Sequence, residues 1–184
     1  VQRGEVWTVE VTPSDTFESG PSAEATITID NAPPSVDSVP LFPASPVSTD
    51  DIEAVVSGWL DAEDDPESYE YTWIIDGITD TEETTATYPA AKTEKGANVQ
   101  VIVTPVDDFD AGESVPSEIT TIENSAPQPG VVEITPTSPE PAEALICEVV
   151  VAASDVDADA IEYVFSWSID GIEYPEFATI SADG

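Results

Sequence analysis

Residues 69–77 read Tyr-Glu-Tyr-Thr-Trp-Ile-Ile-Asp-Gly. Tyr69, Tyr71, Trp73 and Ile75 alternate with Glu70, Thr72 and Ile74. A period of two with aromatic rings on one face predicts a half-buried β-strand. Asp76-Gly77 then supplies the dipeptide of a tight hairpin turn. The pattern returns 94 residues on, where Tyr163, Phe165 and Trp167 alternate with Glu162, Val164 and Ser166 and lead to Ile169 and Asp170-Gly171.

Self-similarity continues on both sides of this strand. Gly4-Glu5-Val6-Trp7-Thr8-Val9-Glu10-Val11-Thr12-Pro13 resembles the stretch from Gly96 to Pro105, 92 residues later. Asp15, Phe17 and Gly20 match Asp107, Phe109 and Gly112 at the same spacing. Asn31-Ala32-Pro33 recurs around Asn124, Ala126 and Pro127, and the acidic run from Asp61 to Asp65 recurs from Asp155 to Asp159. Matches kept in order with a drift of one or two residues predict tandem domains of about 93 residues. Trp7, Val9 and Val11 share a face, as do Val99, Val101 and Val103; Ile52, Ala54 and Val56 share another, matched by Leu145, Cys147 and Val149. Short strands separated by turn signals, with no helical period, predict an all-β chain of sandwiches. The boundaries expected are 1–31 for the last two strands of one domain, 32–123 for a complete domain, and 124–184 for the opening strands of a third. Asn31 to Pro34 and Asn124 to Pro129 read as short stiff linkers.

Charge narrows the function. The 184 residues hold 39 Asp plus Glu against 3 Lys plus Arg, a formal net charge of −36. Arg3, Lys92 and Lys95 are the only cations. Such a surface repels nucleic acid and anionic lipid, which are bound through clustered Lys and Arg. Self-repulsion costs the fold stability that divalent cations or high salt restore. There is no His, no Met and one Cys, and no apolar run long enough to span a bilayer. No signal peptide is visible, the chain passing from Arg3-Gly4-Glu5 straight into a strand.

The stretches ITPTSPEPAEALICEVVVAASDVDADAIEYVFSWSIDG (134–171) and KGANVQVIVTPVDDFDAGE (95–113) resemble the tandem immunoglobulin-like or cadherin-like repeats of large bacterial cell-surface proteins. The resemblance covers essentially the whole chain. It implies an Ig-like fold and a role as extracellular stalk or adhesive module, with Ca²⁺ bound by some related repeats. It also places Cys147 on strand B and Trp167 on strand C, with a second Cys due on strand F, where Val9 and Val101 stand in the other two repeats. Two readings of Cys147 stand together: a half-cystine whose partner lies beyond residue 184, or a buried free thiol acting as a small hydrophobe. Two readings of the chain ends also stand. Residues 1–31 and 124–184 together make one period, which fits a segment cut from a longer array. It also fits head-to-tail completion, the hairpin 1–31 of one copy filling the open sandwich of the next.

In a sandwich of this kind the B–C and F–G loops lie where strand A begins. The middle domain there gathers Asp61, Glu63, Asp64 and Asp65, then Asp107, Asp108 and Asp110, with Asp30 and Asn31 entering from the linker. The third domain repeats the set with Glu123, Asn124, Asp155, Asp157 and Asp159. Hard oxygen ligands from several loops suit Ca²⁺, so Asp30, Asn31, Asp61, Glu63, Asp65, Asp107, Asp108, Asp110, Asn124, Asp155, Asp157 and Asp159 are the candidate metal ligands. The Asp-x-Asp-x-Asp run lacks the Gly and Glu that complete an EF-hand. It also departs from the family's Asp-Gly-Asp, having Asp-Asp-Pro at 64–66 and Ala-Asp-Ala at 158–160. The polar alternative is that these groups merely cap turns on an acidic surface. Without His there is no Ser–His or Cys–His nucleophile pair, and zinc lacks ligands, so an enzyme is not expected. The function expected is a structural extracellular stalk or filament, its partners being neighbouring repeats or other copies of the chain. Against it stand an adhesive module contacting glycans or a partner protein, and an accessory domain of a larger secreted enzyme.

Overall fold

The computed structural model describes residues 1–173 and 179–182. The chain is all-β as expected, with 42% of residues in strands and 2% helical, in several small sheets. It forms two compact units: Val1–Ala44 with Asp51–Pro89 and Asn98–Thr120, and Ser45–Asp50 with Ala90–Ala97 and the chain from Thr121 onward.

The first unit opens with β1 (Val6–Val11) and β2 (Ala23–Thr28), an antiparallel pair in which Val9 faces Ala25. β3 (Leu41–Phe42), β4 (Ile52–Ala54) and β7 (Thr87–Tyr88) form one sheet in the order β3-β4-β7. β5 (Tyr69–Ile75), β6 (Ile78–Asp80), β8 (Asn98–Pro105), β9 (Val115–Pro116) and β10 (Thr120–Thr121, whose second residue begins the next segment of the other unit) form another, ordered β10-β8-β5-β6 with β9 also on β8. The predicted alternation is present on its central strands. Val99, Val101, Val103 and Trp73 are wholly buried, while Gln100, Ile102 and Thr104 between them are half-exposed. Trp73 lies opposite Val101, and Tyr71 opposite Val103. From the other sheet Leu41, Ile52, Ala54 and Tyr88 are buried. The Trp73 ring meets Tyr88 at 5.2 Å between centroids, and its indole N–H donates to the Thr85 carbonyl at 2.9 Å. Each fully buried side chain of this size contributes about 1.5–3 kcal/mol.

The β1 face differs from that of β8, whose sequence it resembles. Trp7, Val9 and Val11 share a face but remain 54%, 57% and 60% exposed. β1 has one strand neighbour, β2, whereas β8 is flanked by β5 and β10.

The second unit carries a 3₁₀ turn at Ala90–Lys92 and three strand pairs. β11 (Val131–Thr135) pairs with β12 (Ile146–Val151), placing half-buried Cys147, a free thiol, opposite Ile134. β13 (Glu162–Phe165) pairs with β16 (Thr179–Ala182). β14 (Ser168–Ile169) pairs with β15 (Ile172–Glu173). Both Asp-Gly turns take the left-handed pair of angles that a two-residue hairpin needs. Asp76 and Gly77 have φ of 50° and 79°, Asp170 and Gly171 of 51° and 80°.

Candidate functional site

The two acidic loops share one conformation. Asp61 Oδ1 accepts the backbone N–H groups of Glu63 and Asp65, both at 2.9 Å. Asp155 Oδ1 accepts those of Asp157 and Asp159 at 2.8 and 3.3 Å. The fourth residue of each loop is left-handed, Asp64 at φ 59° and Ala158 at φ 58°. That backbone favours Gly, and Asp64 and Ala158 adopt it at the cost of a Cβ where none is preferred.

In the first unit Asp61, Asp65 and Asp107 each bring one carboxylate oxygen to within 4.8 Å of the others. Asp61 is 8% exposed, and its Oδ2 has no hydrogen-bond partner among the described residues. Glu63 Oε2 beside it is likewise buried without a partner. A buried charged oxygen left unpaired is costly unless a cation or donor meets it. The linker closes the site. Asn31 Nδ2 donates to Asp107 Oδ2 at 2.9 Å and to Asp110 Oδ2 at 3.1 Å. Asp107 Oδ1 is held by the N–H groups of Phe109 and Asp110 at 2.7 and 2.6 Å. The Asn31 hydrogen bond, followed by these backbone donors and Arg3, keeps the Asp107 carboxyl below its ordinary range.

One expected ligand set is therefore brought together and part of it is not. Asn31, Asp61, Asp65, Asp107 and Asp110 converge, with Glu63 alongside. Asp30 and Asp108 are exposed and form no hydrogen bond among the described residues. In the second unit Asp155, Asp157 and Asp159 bring their oxygens equally close. Asn124 joins them through Lys95 and donates its own amide to the Ser125 carbonyl at 2.7 Å.

Four participants escaped the sequence reading. Arg3 forks onto both oxygens of Asp65 and meets Asn31 Oδ1 at 2.6 Å, with its guanidinium 3.8 Å above the Phe109 ring. The Asp65 hydrogen bond raises the pKa of Arg3 further. Lys95 Nζ donates to both oxygens of Asp159 at 2.5 and 2.6 Å and to Asn124 Oδ1 at 3.1 Å, and Asp159 in turn raises its pKa. Ser48 donates its hydroxyl to Asp157 Oδ1, and the Ser125 N–H reaches Asp157 Oδ2 at 2.7 Å. The Ser48 bond first, then Ser125, lowers the Asp157 pKa. A signal for the two cations was present, since Arg3-Gly4 and Lys95-Gly96 are 92 residues apart and open two similar stretches of sequence. Nothing in the sequence pointed to the serines, which arrive through tertiary packing.

No helix of the described residues is long and apolar enough to cross a membrane. No protein-family model, curated protein or solved structure matches the chain.

Proposed function

We propose that the chain is a segment of an extracellular stalk or filament built from tandem Ig-like β-sandwich repeats, with a Ca²⁺ ion stiffening each junction. The repeat runs about 93 residues, with 32–123 as the complete member. The observation that carries this reading is the recurrence of one constellation. A linker Asn, a loop of spaced aspartates and a left-handed fourth residue occur in both acidic loops, in the same order. A mechanical spacer needs such repetition, because each junction must limit bending in the same way. At the first loop the fit to a hard cation rests on Asp61 Oδ2, a buried oxygen that lacks a donor. Asp61, Asp65 and Asp107 would supply carboxylate oxygens, and Asn31 a neutral carbonyl.

The experiment is a thermal unfolding series with Ca²⁺ and with chelator at constant ionic strength. A midpoint higher in Ca²⁺ than in Na⁺ of equal ionic strength is expected, and Asp61→Asn should remove most of that increment. Equal midpoints in Ca²⁺ and chelator would end the calcium reading. Scattering that gives a collapsed, flexible particle in both conditions would end the stalk reading.

A further inference from the structure

We infer that Arg3 is a tethered counter-ion: its guanidinium fills the cation slot of the Asp61–Asp65–Asp107 cluster, and Ca²⁺ enters by displacing it. The inference rests on the reading that this cluster takes a divalent cation, and it concerns what that cation must compete with.

Three observations lead there. The first is which atoms Arg3 uses. Its two terminal nitrogens hold both carboxylate oxygens of Asp65, and Nη1 also takes Asn31 Oδ1 at 2.6 Å. An oxygen whose lone pairs are committed to a guanidinium fork is not free to ligate a metal ion. Arg3 thus withholds two of the groups that a hard cation at this site would use.

The second is what Arg3 leaves undone. Asp61 spends Oδ1 on two backbone N–H groups, and Oδ2 keeps no partner although the residue is 8% exposed. One guanidinium against three carboxylates leaves a local charge of −2. A divalent ion in its place leaves −1, and one carboxylate oxygen from each of the three residues lies within 4.8 Å of the others to receive it. The guanidinium is therefore a partial substitute for a metal ion, and a metal has a reason to replace it.

The third is repetition. Lys95 stands 92 residues after Arg3, and it binds Asp159 and Asn124, the counterparts of Asp65 and Asn31. The same trio of cation, linker Asn and last loop Asp is made twice, once with Arg and once with Lys. The chain has three cations, and two of them are in this position. On a surface carrying 39 acidic groups, an arbitrary cation has many other partners.

Competition predicts that removing the guanidinium tightens Ca²⁺ binding. If the locked form is populated about ten to one, the apparent Kd is about tenfold weaker than the intrinsic one. A wild-type Kd of about 10⁻³ M, within the range of extracellular modules, would then fall to about 10⁻⁴ M in Arg3→Gln. Arg3→Lys keeps the charge but loses the fork, and should lie between them. Arg3→Met keeps an aliphatic stem on Phe109 and should behave like Arg3→Gln, which separates loss of the cation from loss of packing.

The test is calorimetric titration of the full chain with CaCl₂ at fixed ionic strength, for wild type and the three variants. Each is also examined in an Asp61→Asn background to assign the heat to this site. Tighter binding in Arg3→Gln and Arg3→Met, lost with Asp61→Asn, supports the inference. Unchanged or weaker binding in those variants, with wild type still binding, overturns the counter-ion role and leaves the calcium site standing. Tighter binding that survives Asp61→Asn places the ion elsewhere and also overturns it. No binding by any form removes both this inference and the calcium reading of the junction.

Discussion

Val101→Ala and Val9→Ala are the same change at matching positions of two similar stretches, 92 residues apart, in two different surroundings. Val101 is wholly buried on β8 against Trp73, whereas Val9 on β1 is 57% exposed. Truncating Val101 removes two buried methyl groups, about 1.6 kcal/mol at 0.8 kcal/mol each. A core flanked by strands on both sides relaxes little, and the residual cavity adds about 1 kcal/mol. The total is about 2.5 kcal/mol, a large part of the 5–15 kcal/mol typical of a domain. Val9 is less than half buried, so its loss should be about 0.7 kcal/mol with no cavity contribution. Urea unfolding followed by tryptophan fluorescence, with far-UV circular dichroism as a second probe, reads both values. At about 2–4 °C per kcal/mol, the melting midpoint should drop by about 5–10 °C for Val101→Ala and by less than about 3 °C for Val9→Ala. Equal losses would mean that the β1 face is covered as thoroughly as that of β8, and the burial argument would fail. A loss below about 1 kcal/mol at Val101 would refute its place in the core.

Gly112→Ala should cost about 3 kcal/mol by overpacking, because a Cβ there would lie 1.8 Å from the Pro34 carbonyl oxygen. Gly20→Ala, 92 residues earlier, meets the Pro13 ring at 3.2 Å and the Pro13 carbonyl oxygen at an ordinary 3.6 Å, and should cost under about 1 kcal/mol in the same urea assay. Ala158→Gly should raise stability by up to about 1 kcal/mol, since it removes a Cβ from a left-handed residue; a loss instead would show that the loop is not held at φ 58°. Burial and the Asp80 hydrogen bond push the Tyr88 hydroxyl up to about 12. The native state therefore prefers the neutral ring, and its contribution, complete below about pH 10, is lost as pH rises toward 12. Tyr88→Phe should flatten that alkaline slope in denaturation midpoints measured across the window. Asp107 has the opposite sign: its depressed value contributes stability above about pH 4 that disappears as pH falls through the native value, and Asp107→Asn should reduce that acid slope.

Strand identity was legible where alternation met a turn signal. Tyr69 to Gly77 became β5 and a left-handed Asp-Gly pair leading into β6, and Val99, Val101 and Val103 became the buried face of β8. The acidic loops were legible as a pair because the run from Asp61 to Asp65 returns from Asp155 to Asp159, and in both the first Asp folds back onto N–H groups of its own loop. The roles of Arg3 and Lys95 were less so. Counting cations shows that they are rare, but only setting the stretch from Arg3 over the stretch from Lys95 shows that two of them coincide. The half-bare face of β1 could not be read from alternation, since Trp7, Val9 and Val11 carry the same pattern as the buried valines of β8; only the expectation that residues 1–31 are two strands of an incomplete domain pointed to it. Periodicity says which side chains share a side, and not whether anything covers that side. Segments such as Ser45–Asp50 and Ala90–Ala97 join the second unit through contacts far along the chain, beyond the reach of any local pattern.

With methionine absent, the sulfur of Cys147 is the chain's single sulfur atom. It lies half-buried on β12, opposite Ile134 of β11. A thiol reacts as the exposed thiolate, so an alkylating dye has one address in the whole polypeptide. The rate at which that dye attaches reports how far the Cys147 side of the β11–β12 ribbon is open to solvent. No second thiol contributes to the signal, so the same side chain can serve as a clock for local opening while Ca²⁺, salt or pH is varied.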